Sequence, residues 1–126
     1  MTLRKFFSLL CVPILLAGCS TTVTNLTPRQ TTRNSNGLYL FSVMLDSNQQ
    51  SLRRDSIKPY VIIGSEAYPM QPIPMLQNRW EAYVPVPPNE GFVHYRYKFD
   101  YLYNRIPQPQ ASSKLSDTYQ LQILDK

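Results

Sequence analysis

The sequence predicts an all-β, antiparallel sandwich of about seven strands, and three observations carry that expectation. From Val93 to Tyr103 the residues alternate without a break: Val93, Tyr95, Tyr97, Phe99, Tyr101 and Tyr103 fall on one face, and His94, Arg96, Lys98 and Asp100 on the other. Other short apolar runs recur along the chain, separated by clusters of Pro, Gly, Asn and Asp, as in a sandwich rather than a bundle. Helix has little to form from. The chain holds 11 prolines, its runs are rich in β-branched and aromatic residues, and no apolar stripe repeats at helical spacing.

At the start of the chain, Arg4 and Lys5 precede an apolar run from Phe6 to Leu16, followed by the small residues Ala17 and Gly18. A positive end, an apolar middle and small residues at a cut site make a secretory signal. The run is too short for a spanning helix, which needs roughly 20 apolar residues, and Pro13 interrupts it. Leu16-Ala17-Gly18-Cys19 resembles the lipobox of bacterial lipoproteins. That resemblance implies cleavage after residue 18, a diacylglyceryl thioether on Cys19 and acylation of its new amino terminus. By the same resemblance Ser20, a residue other than Asp after the cysteine, implies transfer to the outer membrane in a bacterium that has one. Without an outer membrane, the anchor lies on the outer face of the plasma membrane.

Losing the first 18 of 126 residues leaves 108, enough for one domain with a modest core. Cys11 leaves with the signal and Cys19 is acylated, so the core must hold without a disulfide. Loss of Arg4 and Lys5 takes the net charge from +5 to +3, and Arg53-Arg54 is the only adjacent basic pair in the mature part. Scattered surface charge of this kind argues against nucleic acid as a partner.

Residues 19–36 are mostly Ser, Thr, Asn, Gln and Arg and read as a flexible tether, with Val23 and Leu26 before Pro28 as an alternative short edge strand. The domain proper is placed at 37–126. Leu38 to Leu45 reads as a strand buried on both faces, Gln49 to Ser56 as a loop, and Lys58 to Gly64 as a second strand. Pro69, Pro72 and Pro74 impose extended, edge-like or loop backbone. Arg79 to Val86 alternates, with Trp80, Ala82, Val84 and Val86 on one side. Pro87 to Gly91 is a turn. After the long strand Val93 to Tyr103, Pro107 to Ser113 reads as a loop, and Tyr119, Leu121 and Ile123 as the alternating face of a last strand.

The turn Pro88-Asn89-Glu90-Gly91 followed by Tyr95-Arg96-Tyr97-Lys98-Phe99, with Trp80 in the preceding strand, resembles immunoglobulin-like early-set domains. The resemblance covers Arg79 to Asp100 and implies an immunoglobulin-like sandwich.

Chemistry has little to build on. His94 is the only histidine and lies among Arg96 and Lys98, so neither a zinc or copper site nor a Ser-His-Asp triad is expected; no Gly-x-Ser-x-Gly turn occurs. The eight carboxylates are spread through the chain, with no calcium loop or glycine-rich phosphate loop. No cofactor and no metal are expected. The aromatics are the richest material. Tyr101 and Tyr103, beside Arg105, are the expected contact patch, and Trp80 is the residue a sugar-stacking site would use. The expected function is therefore a non-catalytic envelope lipoprotein that binds or scaffolds another envelope protein. The alternative is a carbohydrate-binding module for cell-wall or surface polysaccharide.

Overall fold

The computed structural model describes residues Ser20 to Asp125; Leu16, Ala17, Gly18 and Cys19 lie outside them. Among the described residues ten strands make two sheets. One sheet runs β1 (Thr21–Asn25), β3 (Leu38–Ser47), β7 (Arg79–Pro85), β6 (Gln71–Pro72). The other runs β2 (Gln30–Thr32), β10 (Tyr119–Leu124), β8 (Phe92–Tyr103), β4 (Leu52–Ile63), β5 (Glu66–Pro69), and β9 (Gln110–Leu115) fills the rest of one edge of β8. In chain order the first sheet takes the A, B, E and D positions of an immunoglobulin domain and the second takes G, F, C and C′. The all-β, immunoglobulin-like sandwich expected from the sequence is the fold observed.

It departs from that expectation in four places. The segment read as a tether is built into the sandwich: β1 pairs antiparallel with β3 from Thr21 opposite Ser47 to Asn25 opposite Val43. β2 then crosses over and pairs parallel with β10, so the sandwich is not wholly antiparallel. Backbone pairing stabilises this polar stretch, which has few apolar side chains to bury. The loop expected over 49–56 is already strand from Leu52, which is buried opposite Tyr103. A bulge between Arg53 and Lys58 carries the polar residues, and the Ser56 hydroxyl accepts the Leu102 N–H at 2.9 Å in place of a ladder carbonyl. The loop expected over 107–113 contains the start of β9, whose residues are almost all exposed and so lack an apolar signature. Finally, β3 is buried on one face only, with Leu38 and Leu40 turned outward.

The core is the alternation read at full length. Phe41, Val43 and Leu45 of β3 and Val84 of β7 face Tyr95, Tyr97 and Phe99 of β8, with Val61 and Leu121 closing the sides. Phe41 meets Tyr95 edge to face at 4.8 Å, joining the B and F strands where antibody domains carry their inter-sheet disulfide. Trp80 meets Phe99 the same way at 5.9 Å.

The crossover from β1 to β2 is pinned by two buried phenols. The Tyr97 hydroxyl donates to Asn25 Oδ1 at 2.7 Å and lies 2.9 Å from the Thr27 hydroxyl. The Asn25 amide donates to the Tyr95 oxygen at 2.8 Å, and Ser42 N–H donates to the Thr27 hydroxyl at 2.9 Å. On the other side of β8, Ser116 bridges the gap between β9 and β10. Its N–H donates to the Tyr97 carbonyl at 2.9 Å, and its hydroxyl accepts the Tyr97 N–H at 2.8 Å.

Burial pushes the Tyr95 and Tyr97 phenols above their usual value near 10. The fold therefore holds protons that the unfolded chain gives up. Stability from this source is intact below about pH 10 and is lost as pH rises above it, by at most about 1.4 kcal/mol per pH unit for each phenol. Tyr97→Phe should cost about 1–3 kcal/mol at neutral pH, because Asn25 and Thr27 lose a buried partner. It should also flatten the alkaline loss. Urea unfolding of both chains at about pH 8 and about pH 11 checks this, and equal alkaline slopes would refute it.

Candidate functional site

The expected contact patch is divided by the structure. Tyr101 points inward and is only 7% exposed, packed edge to face against half-buried Tyr103 at 5.3 Å. Burial, and then the adjoining Tyr103 phenol, pushes the Tyr101 phenol above its usual value. Only Arg105 of the three is exposed, on the connection after β8. Tyr101 is thus a core residue near the strand's end, because the alternation of β8 keeps its inward phase to that point. Trp80 is buried too, at 9% exposure, against Phe99. What remains accessible is a sliver in the hollow it lines with Lys58, Tyr60 and Pro72, too little for a sugar ring to stack on, contrary to the sugar-stacking expectation.

The exposed apolar surface lies elsewhere. On the outer face of the first sheet Tyr83 of β7 stands 65% exposed directly opposite Leu40 of β3, and Leu38 stands opposite Pro85. Leu26 joins them by running beyond β1, its N–H donating to the Ser42 carbonyl at 3.0 Å. Leu26, Leu40 and Tyr83 line one shallow hollow of about 300 Å³ with Pro28, Thr31 and Asn34. Period-2 placement explains why these residues are outside: each is out of phase with the buried Tyr39, Phe41 and Val84. The sequence carried this signal in Leu40 and Tyr83, on the opposite phase from the core residues of their strands.

A wider groove of about 720 Å³ runs along the outer face of the second sheet, lined by Ser56, Lys58, Tyr60, Asp100 and Ser113 among others. Two of its polar groups are already engaged. Ser56 donates to the Arg53 carbonyl while accepting the Leu102 N–H, and Asp100 lies 3.7 Å from the Lys98 ammonium. Ser113 stands across the ladder from Asp100, with no histidine among the lining residues. His94 is exposed on β8, opposite Gln120. Among the described residues no group of three or more His, Cys, Asp or Glu converges as a metal site would require, and no helix is long and apolar enough to cross a membrane.

The two ends of the sandwich differ. At one end Ser20 enters β1, its N–H donating to Asn48 Oδ1 at 2.7 Å while its carbonyl accepts the Asn48 N–H at 3.2 Å. The turn after β3, the connection between β6 and β7 and the connection between β8 and β9 gather at this end. At the other end Arg33 holds Asp125 at 2.6 Å and donates to the carbonyls of Pro88 and Glu90.

No protein-family model matches the chain, and no curated protein matches it. Two solved structures are similar in shape. AggA, the major subunit of aggregative adherence fimbriae type I of Escherichia coli, aligns with a TM-score of 0.45 and 12% identity, over 86% of this chain and 97% of its own. Murine CRIg aligns with a TM-score of 0.41 and 12% identity, over 83% of this chain and 98% of its own.

The contrast between the two aromatics of β7 is directly measurable, since Trp80 is the sole tryptophan. Its fluorescence should be shielded from acrylamide until the protein unfolds. Trp80→Ala should cost about 3–5 kcal/mol, whereas Tyr83→Ser should change stability by no more than about 0.5 kcal/mol. Equal losses in denaturant unfolding would contradict the assigned faces.

Proposed function

We propose that this protein is a non-catalytic binding or scaffolding module of the cell envelope, held at the membrane through acylated Cys19 and engaging another envelope protein through the outer face of its first sheet. One observation carries the reading: an exposed aromatic, Tyr83, set with Leu40 and Leu26 around a shallow hollow of the sheet face. Aromatic and aliphatic residues that stay solvated in the monomer mark contact surfaces. The address rests on the sequence of residues 16–20, and the outer membrane is the expected site where one exists.

The position of Ser20 supports the arrangement. β1 begins one residue after Ser20, so Cys19 is one peptide bond from a residue that is hydrogen-bonded into the domain. The patch sits toward the opposite end of β3. From Ser47 back to Leu40 is seven residues, on the order of 24 Å along a strand. A partner would therefore be met above the bilayer rather than at it.

Two substitutions separate the parts. Cys19→Ser should move the protein from the membrane fraction to the soluble fraction; firm retention would remove the anchor. A photo-crosslinking residue in place of Tyr83 should give one discrete adduct in intact cells, and the same group in place of Arg96 on the second sheet should give none. Absence of the Tyr83 adduct, or equal labelling from both positions, would remove the binding face.

A further inference from the structure

We infer that the end of the sandwich at which Ser20 enters lies flat against the bilayer, with apolar loop tips in the interface and arginines among anionic lipid headgroups. The inference rests on the anchor reading above and goes beyond it. It assigns an orientation and a second, non-covalent contact with the membrane.

Three apolar side chains at this end have no role in the fold. Met75 and Ile106 are fully exposed and Leu76 is about half exposed, on the connections between β6 and β7 and between β8 and β9. Met75 also takes a left-handed backbone conformation, φ 65°, within a short loop tied down at Ile73, where N–H donates to the Arg79 carbonyl at 2.9 Å. That conformation favours glycine or asparagine, as at Asn78 a few residues on. Neither the backbone nor the core selects methionine there. An apolar phase beyond the loop tip does.

Charge points the same way. Arg54 donates to the Ser47 carbonyl at 2.8 Å and reaches Asn78, which places it between the turn after β3 and the Met75 loop. Arg53 lies beside it, Arg79 opens β7, and Arg105 neighbours Ile106. The acidic residues here are Asp46 and Asp55, with Asp117 beside Thr21 and Thr22, and Arg53 lies 4.0 Å from Asp55. Among the described residues the opposite end is less basic: Glu66, Glu90 and Asp125 lie there with Arg33, which is already held by Asp125, and Arg96 lies opposite Ile62. A domain polarised in this way orients its basic end toward an anionic surface.

The chain outside the described residues leaves at the same end. Ser20 is clamped to Asn48, and Cys19 is the next residue, about 3.8 Å away between Cα atoms. Acyl chains on Cys19 would enter the bilayer beside the Met75 and Ile106 tips, with no slack to let the domain turn over. Apolar tips flanked by basic side chains match the composition that binds an interface: an apolar surface in the acyl boundary and Lys or Arg at headgroup level.

A single introduced thiol reads the orientation, because the chain from Ser20 onward contains no cysteine. The environment-sensitive fluorophore NBD is attached at Ile106→Cys or, at the far end, at Asn89→Cys. The protein is purified from membranes, its acylation read by intact mass, and it is placed in vesicles of phosphatidylethanolamine and phosphatidylglycerol. The label at 106 should shift to the blue and be quenched by spin-labelled lipid, while the label at 89 should behave as in water. If the mass shows acylated Cys19 and both labels behave alike, the anchor stands and the docking is overturned. If Cys19 is bare, the anchor reading falls, and the same labels introduced into a chain carrying Cys11→Ser and Cys19→Ser, added to the same vesicles, decide the docking. A blue shift at 106 alone sustains it, and no shift overturns it. Protection of 106 in native membranes but not in protein-free vesicles would assign this end to a protein and also overturn it. With Cys19→Ser as background, Met75→Asp combined with Ile106→Asp should weaken partition into these vesicles about tenfold or more. Unchanged partition would overturn the contact.

Discussion

The sandwich depends on two buried phenols holding one polar turn. Asn25 and Thr27 lie where the chain leaves the first sheet for the second, and the hydroxyls of Tyr95 and Tyr97 give that crossover its partners inside the core. Each hydrogen bond is worth on the order of 1 kcal/mol net, but groups left unpaired in the interior cost more, so the contacts stand or fall together. With the crossover fixed, β1 covers the free edge of β3 and β2 covers the free edge of β10. Each sheet then ends on a short strand, an edge less able to pair with another chain than the long strand it covers. The same pin delivers Ser20 to one particular end of the molecule.

Aromatic packing substitutes for the covalent bond found in related architectures. Phe41 against Tyr95 ties the B and F strands, and Trp80 against Phe99 ties E to F. Such pairs add about 0.5–1.5 kcal/mol each beyond their buried area. That is less than the 2–4 kcal/mol typical of a disulfide, but it is spread over several strands. Tyr119 continues the cluster, with its ring 5.8 Å from Tyr95 and 6.0 Å from Tyr97. The tyrosine-rich composition is therefore mainly core, with the Tyr95 and Tyr97 hydroxyls serving the crossover.

Where polar and apolar residues alternate along a strand the sequence is legible, whereas the unbroken apolar run of β3 hides which of its faces is outside. β8, β7 and β10 follow their alternation residue by residue, and Trp80 is buried as its phase requires. Strands held by backbone pairing alone were not legible. β2 and β9 are polar and exposed, so no pattern of side chains distinguishes them from loop. β1 showed only Val23 and Leu26, and the first half of β4 was hidden by its bulge. Surface residues carry the weakest signal. Tyr101, near the strand's end, is a contact-patch candidate by position, yet the pleat keeps it in the core. Met75, Leu76 and Ile106 sit in proline-rich connections where no periodicity says which way a side chain points.

The clamp between Ser20 and Asn48 has a consequence for association. A domain on a long flexible leash dilutes itself through the volume the leash sweeps, and its effective concentration toward a neighbour falls as the leash lengthens. Here Ser20, the residue after Cys19, is hydrogen-bonded into the domain. If that cysteine is the anchor, the Tyr83 face is confined to a thin layer at nearly constant height. Encounter with a membrane-bound partner then becomes a search in two dimensions at fixed altitude, and a modest patch can suffice where a free domain of equal affinity would stay unbound.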